Sequence, residues 1–271
     1  MNALGSESLS PNQCLSPNQY LSLKQWLILL LTSLLLLIPG QVSLPVMDRD
    51  EARYAQASKQ MLETGDYIDI RFQEQTRYVK PVLTYWLQSA SATVFGAERA
   101  SITAYRLPSL LGALAAIMAV AWLGARIGGA NIGLLAGLML AASMIIAIEA
   151  RTAKTDALLL AATTISMAAL YCVWQERNSP RANFFAAAPL LFWLATGLGL
   201  MIKGPLILLV SVTTMLALSV VEKSWTWLGR LHPIKGLCLL ALIVAPWLIM
   251  ITIKTNGQFL SDSLGHALLG K

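Results

Sequence analysis

The run WLILLLTSLLLLIPGQVSLPV, residues 26–46, constrains this chain more than any other feature. A helix needs about 20 mostly apolar residues to cross a bilayer. Further apolar blocks lie at 103–124, 131–149, 155–174, 184–202, 205–221 and 236–253. With the first block, Lys24 to Leu44, they make about seven candidate spans. Hydrophobic residues are 56% of the 271 and charged residues 13%, whereas soluble domains carry about 25% charged residues. The blocks run apolar throughout instead of alternating, which excludes a transmembrane β-barrel. The expected fold class is an all-α polytopic membrane protein.

Its polar segments divide the chain further. Residues 1–22 hold a near-duplicate, SPNQCL then SPNQYL, and read as a disordered tail. Residues 23–271 form the transmembrane domain, which contains an external loop at 45–102 and reads as incomplete at its C-terminus. The first block could be a signal peptide flanked by Lys24. We read it as a retained anchor, because no A-x-A-like site precedes Met47 and many spans follow. Gly-rich pieces such as GGANIGLLAG suit close helix packing in lipid. Pro39, Pro108, Pro189, Pro205, Pro233 and Pro246 fall near span ends or permit kinks.

Charge narrows the partners. The net charge is +6, but the basic residues are scattered between spans and form no stripe for nucleic acid. Anionic lipids or a phosphate-bearing substrate fit better. Cys14, Cys172 and Cys238 are too far apart for a metal motif. The last two lie in apolar spans and read as core residues.

Orientation follows from the short loops. With a cytoplasmic N-terminus, Arg126, the loop QERNSPR (Arg177, Arg181) and the loop EKSWTWLGRLHPIK (Lys223, Arg230, Lys235) are cytoplasmic. Asp50, Glu51, Arg53, Lys80, Arg151, Lys154, Asp156, Lys203 and His266 then all fall on the outer side. Charges at a membrane edge are costly unless paired, snorkelling or functional.

Local readings compete at each of these positions. In MDRDEARYAQ, Asp50 can cap a helix that starts at Glu51 and ends at Gly65. RYVKPVLTYWLQSASATVFG reads as an interfacial amphipathic helix with Lys80 near its start. EARTAKTD places Glu149, Arg151, Lys154 and Asp156 between two spans, where Asp156 can cap the second. In LGLMIKGPLILL, Lys203 lies in a turn so short that it must sit near the membrane surface. A lysine there can snorkel or can bind a lipid phosphate.

DRDEARYAQASKQMLETGDYIDIRFQEQTRYVKPVLTYWL resembles the first external loop of the bacterial GT-C glycosyltransferases. These are the dolichyl-phosphate-mannose protein mannosyltransferase-like enzymes and the lipid A aminoarabinose transferase group. The shared pattern is D-x-D-E-x-R-Y-A, a GD turn, then Lys-Pro followed by Tyr-Trp. ARTAKTDALLL, KGP and SLGHALLGK resemble later family segments in the same order. The likeness runs from about residue 25 to the end. Val79 departs from it, since family members often carry Glu before the Lys-Pro.

The resemblance implies a GT-C helix bundle and a polyprenyl-phosphate-linked sugar donor at the outer face of the bacterial inner membrane. Lipid A or another envelope glycan is the implied acceptor, with protein as an alternative. Asp50 would orient or deprotonate the acceptor, and Asp156 would be a second catalytic carboxylate. Lys80, Lys203 and Arg53 would stabilise the leaving phosphate. Glu51, Arg151 and His266 complete the candidate set. No residue is assigned to a metal, no cofactor is fixed, and a divalent metal stays open. No G-x-x-x-x-G-K-[ST] loop is visible, consistent with a lipid-linked donor. Two rival classes remain: a transporter or flippase, and a non-catalytic membrane assembly subunit. Transporters place their ionisable groups near the midplane, whereas these gather at one face.

Overall fold

A computed structural model describes residues 20–95, 101–178 and 183–259. Its order is α1 (Leu23–Leu37), α2 (Arg49–Thr64), β1 (Arg71–Phe72), β2 (Gln75–Thr76), α3 (Leu83–Val94), α4 (Ile102–Gly128), α5 (Ala130–Ala141), α6 (Met144–Glu149), α7 (Asp156–Gln175), α8 (Ala187–Lys203), α9 (Leu206–Glu222) and α10 (Pro233–Lys254). A 3-10 turn at Thr226–Leu231 precedes α10. The chain is a helical membrane protein. Helices α4, α7 and α10 are long and apolar enough to cross a bilayer; α1, α5, α8 and α9 are shorter apolar helices.

Each expected span therefore has its helix, but two details differ. The block 131–149 breaks at Ala142–Ser143 into α5 and α6. The break turns Ile146 and Ala150 into the core. Cys238, expected inside, is exposed, because that face of α10 has no helix against it among the described residues. The tail assignment lies mostly outside the described residues. Within them, Leu21 is buried and Ser22 caps α1 through a capping box with Gln25, so order begins before residue 23.

Small residues set the helix spacing. Gly133 of α5 lies against Ala121 and Ala125 of α4, where no Cβ would fit. Gly112 of α4 faces the start of α7. A Cβ there would stand 2.9 Å from the Leu158 nitrogen and 3.0 Å from the Ala157 carbonyl carbon. That close approach lets α4 carry the first turn of α7 against itself. One core cluster joins α1, α4, α5 and α7, and another joins α7, α8 and the 3-10 turn.

The segment between α1 and α4 is seated on the bundle. Tyr54, Met61, Ile70, Tyr78, Val82 and Tyr85 pack with Met201 of α8 and with Trp247 and Ile251 of α10. Trp247 Nε1 donates to the Ile68 carbonyl at 3.2 Å. The buried face of helix α3 combines Tyr85 and Ala92 with Thr84, Gln88 and Ser89, and the last two bond to α2. Ser58 Oγ donates to Gln88 Oε1 at 2.7 Å, and Ser89 Oγ donates to the Ser58 carbonyl at 3.0 Å. Buried hydroxyls and amides need such partners.

Candidate active site

Helix α2 starts at Arg49, two residues earlier than its sequence suggests. Asp48, in extended conformation, is the N-cap, and its carboxylate accepts the Asp50 N–H at 3.1 Å. Asp50 is thereby released from the capping task expected of it and keeps a side chain 56% exposed. Gly65 ends the helix with φ 71°, as expected. Asp50 Oδ1 lies 3.6 Å from Arg53 Nη1 and 3.6 Å from Arg77 Nη2. Both are ion-pair distances and neither is a hydrogen bond.

Glu51, the next residue, points inward and is fully buried with Arg106 of α4. Arg106 Nε donates to Glu51 Oε1 at 2.7 Å, and Nη2 donates to Glu51 Oε2 at 3.3 Å. Its remaining donors reach the carbonyls of Gln41, Leu44 and Pro45 at 2.9–3.0 Å. All five guanidinium hydrogens are therefore matched. Glu51 also accepts the N–H of Ala153 at 3.1 Å. This knot ties the α1–α2 connection to α4 and to the α6–α7 turn. Glu51 is spent on holding the site together, and Arg106 was not anticipated. Its signal was legible: a lone arginine just inside an apolar span must be paired.

The α6–α7 turn supplies the next layer. Arg151 does not join the cluster. Its guanidinium donates to the carbonyls of Pro39, Ala147 and Leu36, satisfying the open C-terminal end of α1. Lys154 instead pairs with Asp48. That hydrogen bond, with the N–H of Asp50, holds the Asp48 carboxyl below its usual range. Asp156 is the first residue of α7, one place inside the Thr155 cap position, so it is not the cap. Its carboxylate pairs with Lys203, the last residue of α8. Gly204 follows at φ 76°, which lets α8 end abruptly and keeps Lys203 at the rim. Glu149 ends α6 with one carboxylate oxygen buried and without a hydrogen-bond partner.

Lys80 lies in the connection leading to α3. Among the described residues its ammonium makes no ion pair or hydrogen bond. Burial pushes it below the ordinary lysine value, and the Lys203 charge pushes the same way; Asp156 and Asp50 oppose both. Lys80 is thus within the field of Lys203, Arg77, Asp156 and Asp50. Val79, where an acid was looked for, is 40% exposed. No group of three or more His, Cys, Asp or Glu among the described residues is placed to share a metal ion. His266 lies outside the described residues.

The structure therefore brings Asp50, Arg53, Lys80, Asp156 and Lys203 to one end of the bundle. Glu51, fully buried, and Arg151, partly exposed, serve as struts beside them. Arg126, Arg177 and the 3-10 turn lie on elements that finish at the opposite end, where Arg177 Nε pairs with Glu222 at 3.2 Å. This rim carries exposed carboxylates beside Lys80, whose ammonium has no partner among the described residues.

Comparison with known proteins identifies the family and the fold. Residues 22–257 match the family described as dolichyl-phosphate-mannose-protein mannosyltransferase, and the chain belongs to that family. It is similar to undecaprenyl phosphate-alpha-4-amino-4-deoxy-L-arabinose arabinosyl transferases. The relative from Enterobacter sp. (strain 638) is 29% identical over 81% of this chain and 38% of its own length. The relative from Edwardsiella ictaluri (strain 93-146) is 28% identical over 79% of this chain and 37% of its own length. The crystal structure of ArnT from Cupriavidus metallidurans bound to undecaprenyl phosphate superposes with a TM-score of 0.78 at 22% identity, covering 92% of this chain and 45% of that one. The chain thus has the GT-C helix-bundle fold and spans less than two fifths of the length of these curated relatives.

Proposed function

We propose that this chain acts in glycosyl transfer. It would move a sugar from a polyprenyl-phosphate donor to lipid A or another envelope glycan. The site would face outward at the inner membrane, within a transmembrane domain that begins at residue 23. The observation that carries this reading is Lys80, half-buried, without a partner among the described residues, and beside a second lysine and an exposed carboxylate. A buried cation left unpaired is costly, so the site is built for an anion that arrives with the substrate. The relatives' names carry a polyprenyl phosphate, and one solved neighbour holds undecaprenyl phosphate.

In the reaction, an acceptor oxygen attacks the anomeric carbon of the sugar. The bond between that carbon and the phosphate oxygen breaks, and polyprenyl phosphate leaves with the bonding electrons. Lys80, Lys203 and Arg53 stabilise the charge that grows on the leaving phosphate, an effect strengthened at a partly dry membrane edge. Asp50 meets the acceptor. It takes the proton of a hydroxyl acceptor, or positions a phosphate acceptor that is already ionised. Asp156, held by Lys203, shapes the sugar side of the site.

The test is mass spectrometry of lipid A and envelope glycans. A strain lacking the gene is compared with strains complemented by wild type, Asp50→Asn or Lys203→Ala. The expected result is a sugar mass that vanishes in the deletion, returns with wild type, stays absent with Asp50→Asn and is reduced with Lys203→Ala. Identical spectra in all strains would overturn the reading.

A further inference from the structure

Arg77 is the least expected member of the rim. It follows β2 and precedes Lys80 by one turn's worth of chain. Its side chain is only 11% exposed. Two tyrosines fix it in place: Nε donates to Tyr85 Oη at 3.3 Å, and the guanidinium carbon lies 5.1 Å from the Tyr54 ring centroid. Those rings are themselves stacked at 5.1 Å. Stacking plus one hydrogen bond leaves the orientation of the fork determined and its outer edge unused.

That outer edge has no hydrogen-bond partner among the described residues; the nearest charge is Asp50, at 3.6 Å from Nη2. A nearly buried guanidinium with open donors is costly in a finished site. Arg77 also adds to the positive field at Lys80. A planar fork matches two phosphate oxygens, which a lysine cannot do.

We propose that Arg77 is a fourth cation of the phosphate site, beside Lys80, Lys203 and Arg53, gripping the donor's lipid phosphate through its free edge. This rests on the polyprenyl-phosphate reading above. The same chemistry could serve a phosphate on the acceptor, and the kinetics below separate the two.

The experiment uses the full protein in lipid nanodiscs and measures Kd for undecaprenyl phosphate and for its neutral counterpart, undecaprenol. Wild type should prefer the phosphate. Arg77→Met should lose roughly ten- to a hundredfold of phosphate affinity, the scale of a charge-assisted hydrogen bond, and bind undecaprenol as before. Arg77→Lys, which keeps the charge and strains the packing least, should recover part of the loss. In turnover, the KM for donor should rise and the KM for acceptor should stay. Equal weakening of both ligands would mark Arg77 as a packing residue and overturn the proposal. So would unchanged phosphate affinity, or a rise confined to the acceptor KM. A wild type that fails to distinguish phosphate from alcohol would overturn the donor reading itself, and this inference with it.

Discussion

At the scale of single residues, neighbours in sequence have opposite tasks. Asp50 and Glu51 are adjacent carboxylates, yet one is 56% exposed at the rim and the other fully buried against Arg106. Asp50→Asn keeps the shape and removes the charge. Transfer should fall by roughly a hundredfold or more, the usual share of a general base, with folding unchanged; sugar incorporation into lipid A measures it. Full activity in that variant would remove Asp50 from the chemistry. Lys80 gives a pH prediction. Its ammonium is pushed below the ordinary lysine value by burial and by Lys203. Phosphate binding needs the protonated form, so kcat/KM should decline as pH rises through this lowered value. Lys80→Arg stays charged and should carry the alkaline limb upward. A limb at the same pH in both proteins would assign the titration to another group.

At the scale of elements, the site depends on where helices begin and end. Three chain segments meet at the Glu51–Arg106 pair: the α1–α2 connection, α4 and the α6–α7 turn. Removing one partner of such a buried pair costs about 3–5 kcal/mol. Glu51→Gln and Arg106→Met should each lower the melting temperature in detergent sharply. The double variant should recover part of the loss, because it leaves no charge uncompensated. Additive losses would show that the two residues act independently. Gly112 is the second lever. A Cβ there meets α7 backbone at 2.9 Å, and overpacking of this kind costs about 1–3 kcal/mol. Gly112→Val should displace the first turn of α7 and weaken the Asp156–Lys203 pairing. Stability and transfer should fall together; loss of neither would mean that α4 yields without moving α7.

At the scale of the whole molecule, both ends of the bundle are charged and their chemistry differs. One end holds Asp48, Asp50, Asp156, Lys80, Lys154, Lys203 and Arg77. The other holds Arg126, Arg177 and Arg230. This separation favours an interfacial enzyme over a transporter, whose ionisable groups lie near mid-membrane. Single cysteines introduced beside Asp50 and Lys203, after replacing Cys14, Cys172 and Cys238, should react with an impermeant thiol reagent from the same side of the membrane. A cysteine beside Arg177 should react only from the other side. Labelling of the Asp50 and Lys203 positions from opposite faces would end the single-site proposal.

Hydrophobic run length and the polar breaks between runs were enough to predict the helices and their order, because each span is a local property of about 20 residues. Among the described residues, Asp50, Arg53, Lys80, Asp156 and Lys203, which loop charge had assigned to one side, lie at one end of the bundle. The pairing of those residues was not readable, because it joins positions far apart in the chain: Asp48 with Lys154, Asp156 with Lys203, Glu51 with Arg106. Nothing in EARTAKTD says that Arg151 turns back to cap α1 while Lys154 turns toward α2. The turn geometry decides that, through which carbonyls are left open and which carboxylate is in reach. Arg77 passed unnoticed for the same reason, since two tyrosines and an aspartate from outside its own segment give it its orientation. Composition and periodicity determined that this chain is a membrane bundle with a charged face. Only the tertiary contacts decided which of those charges are buried in pairs and which stay exposed or unpaired at the rim.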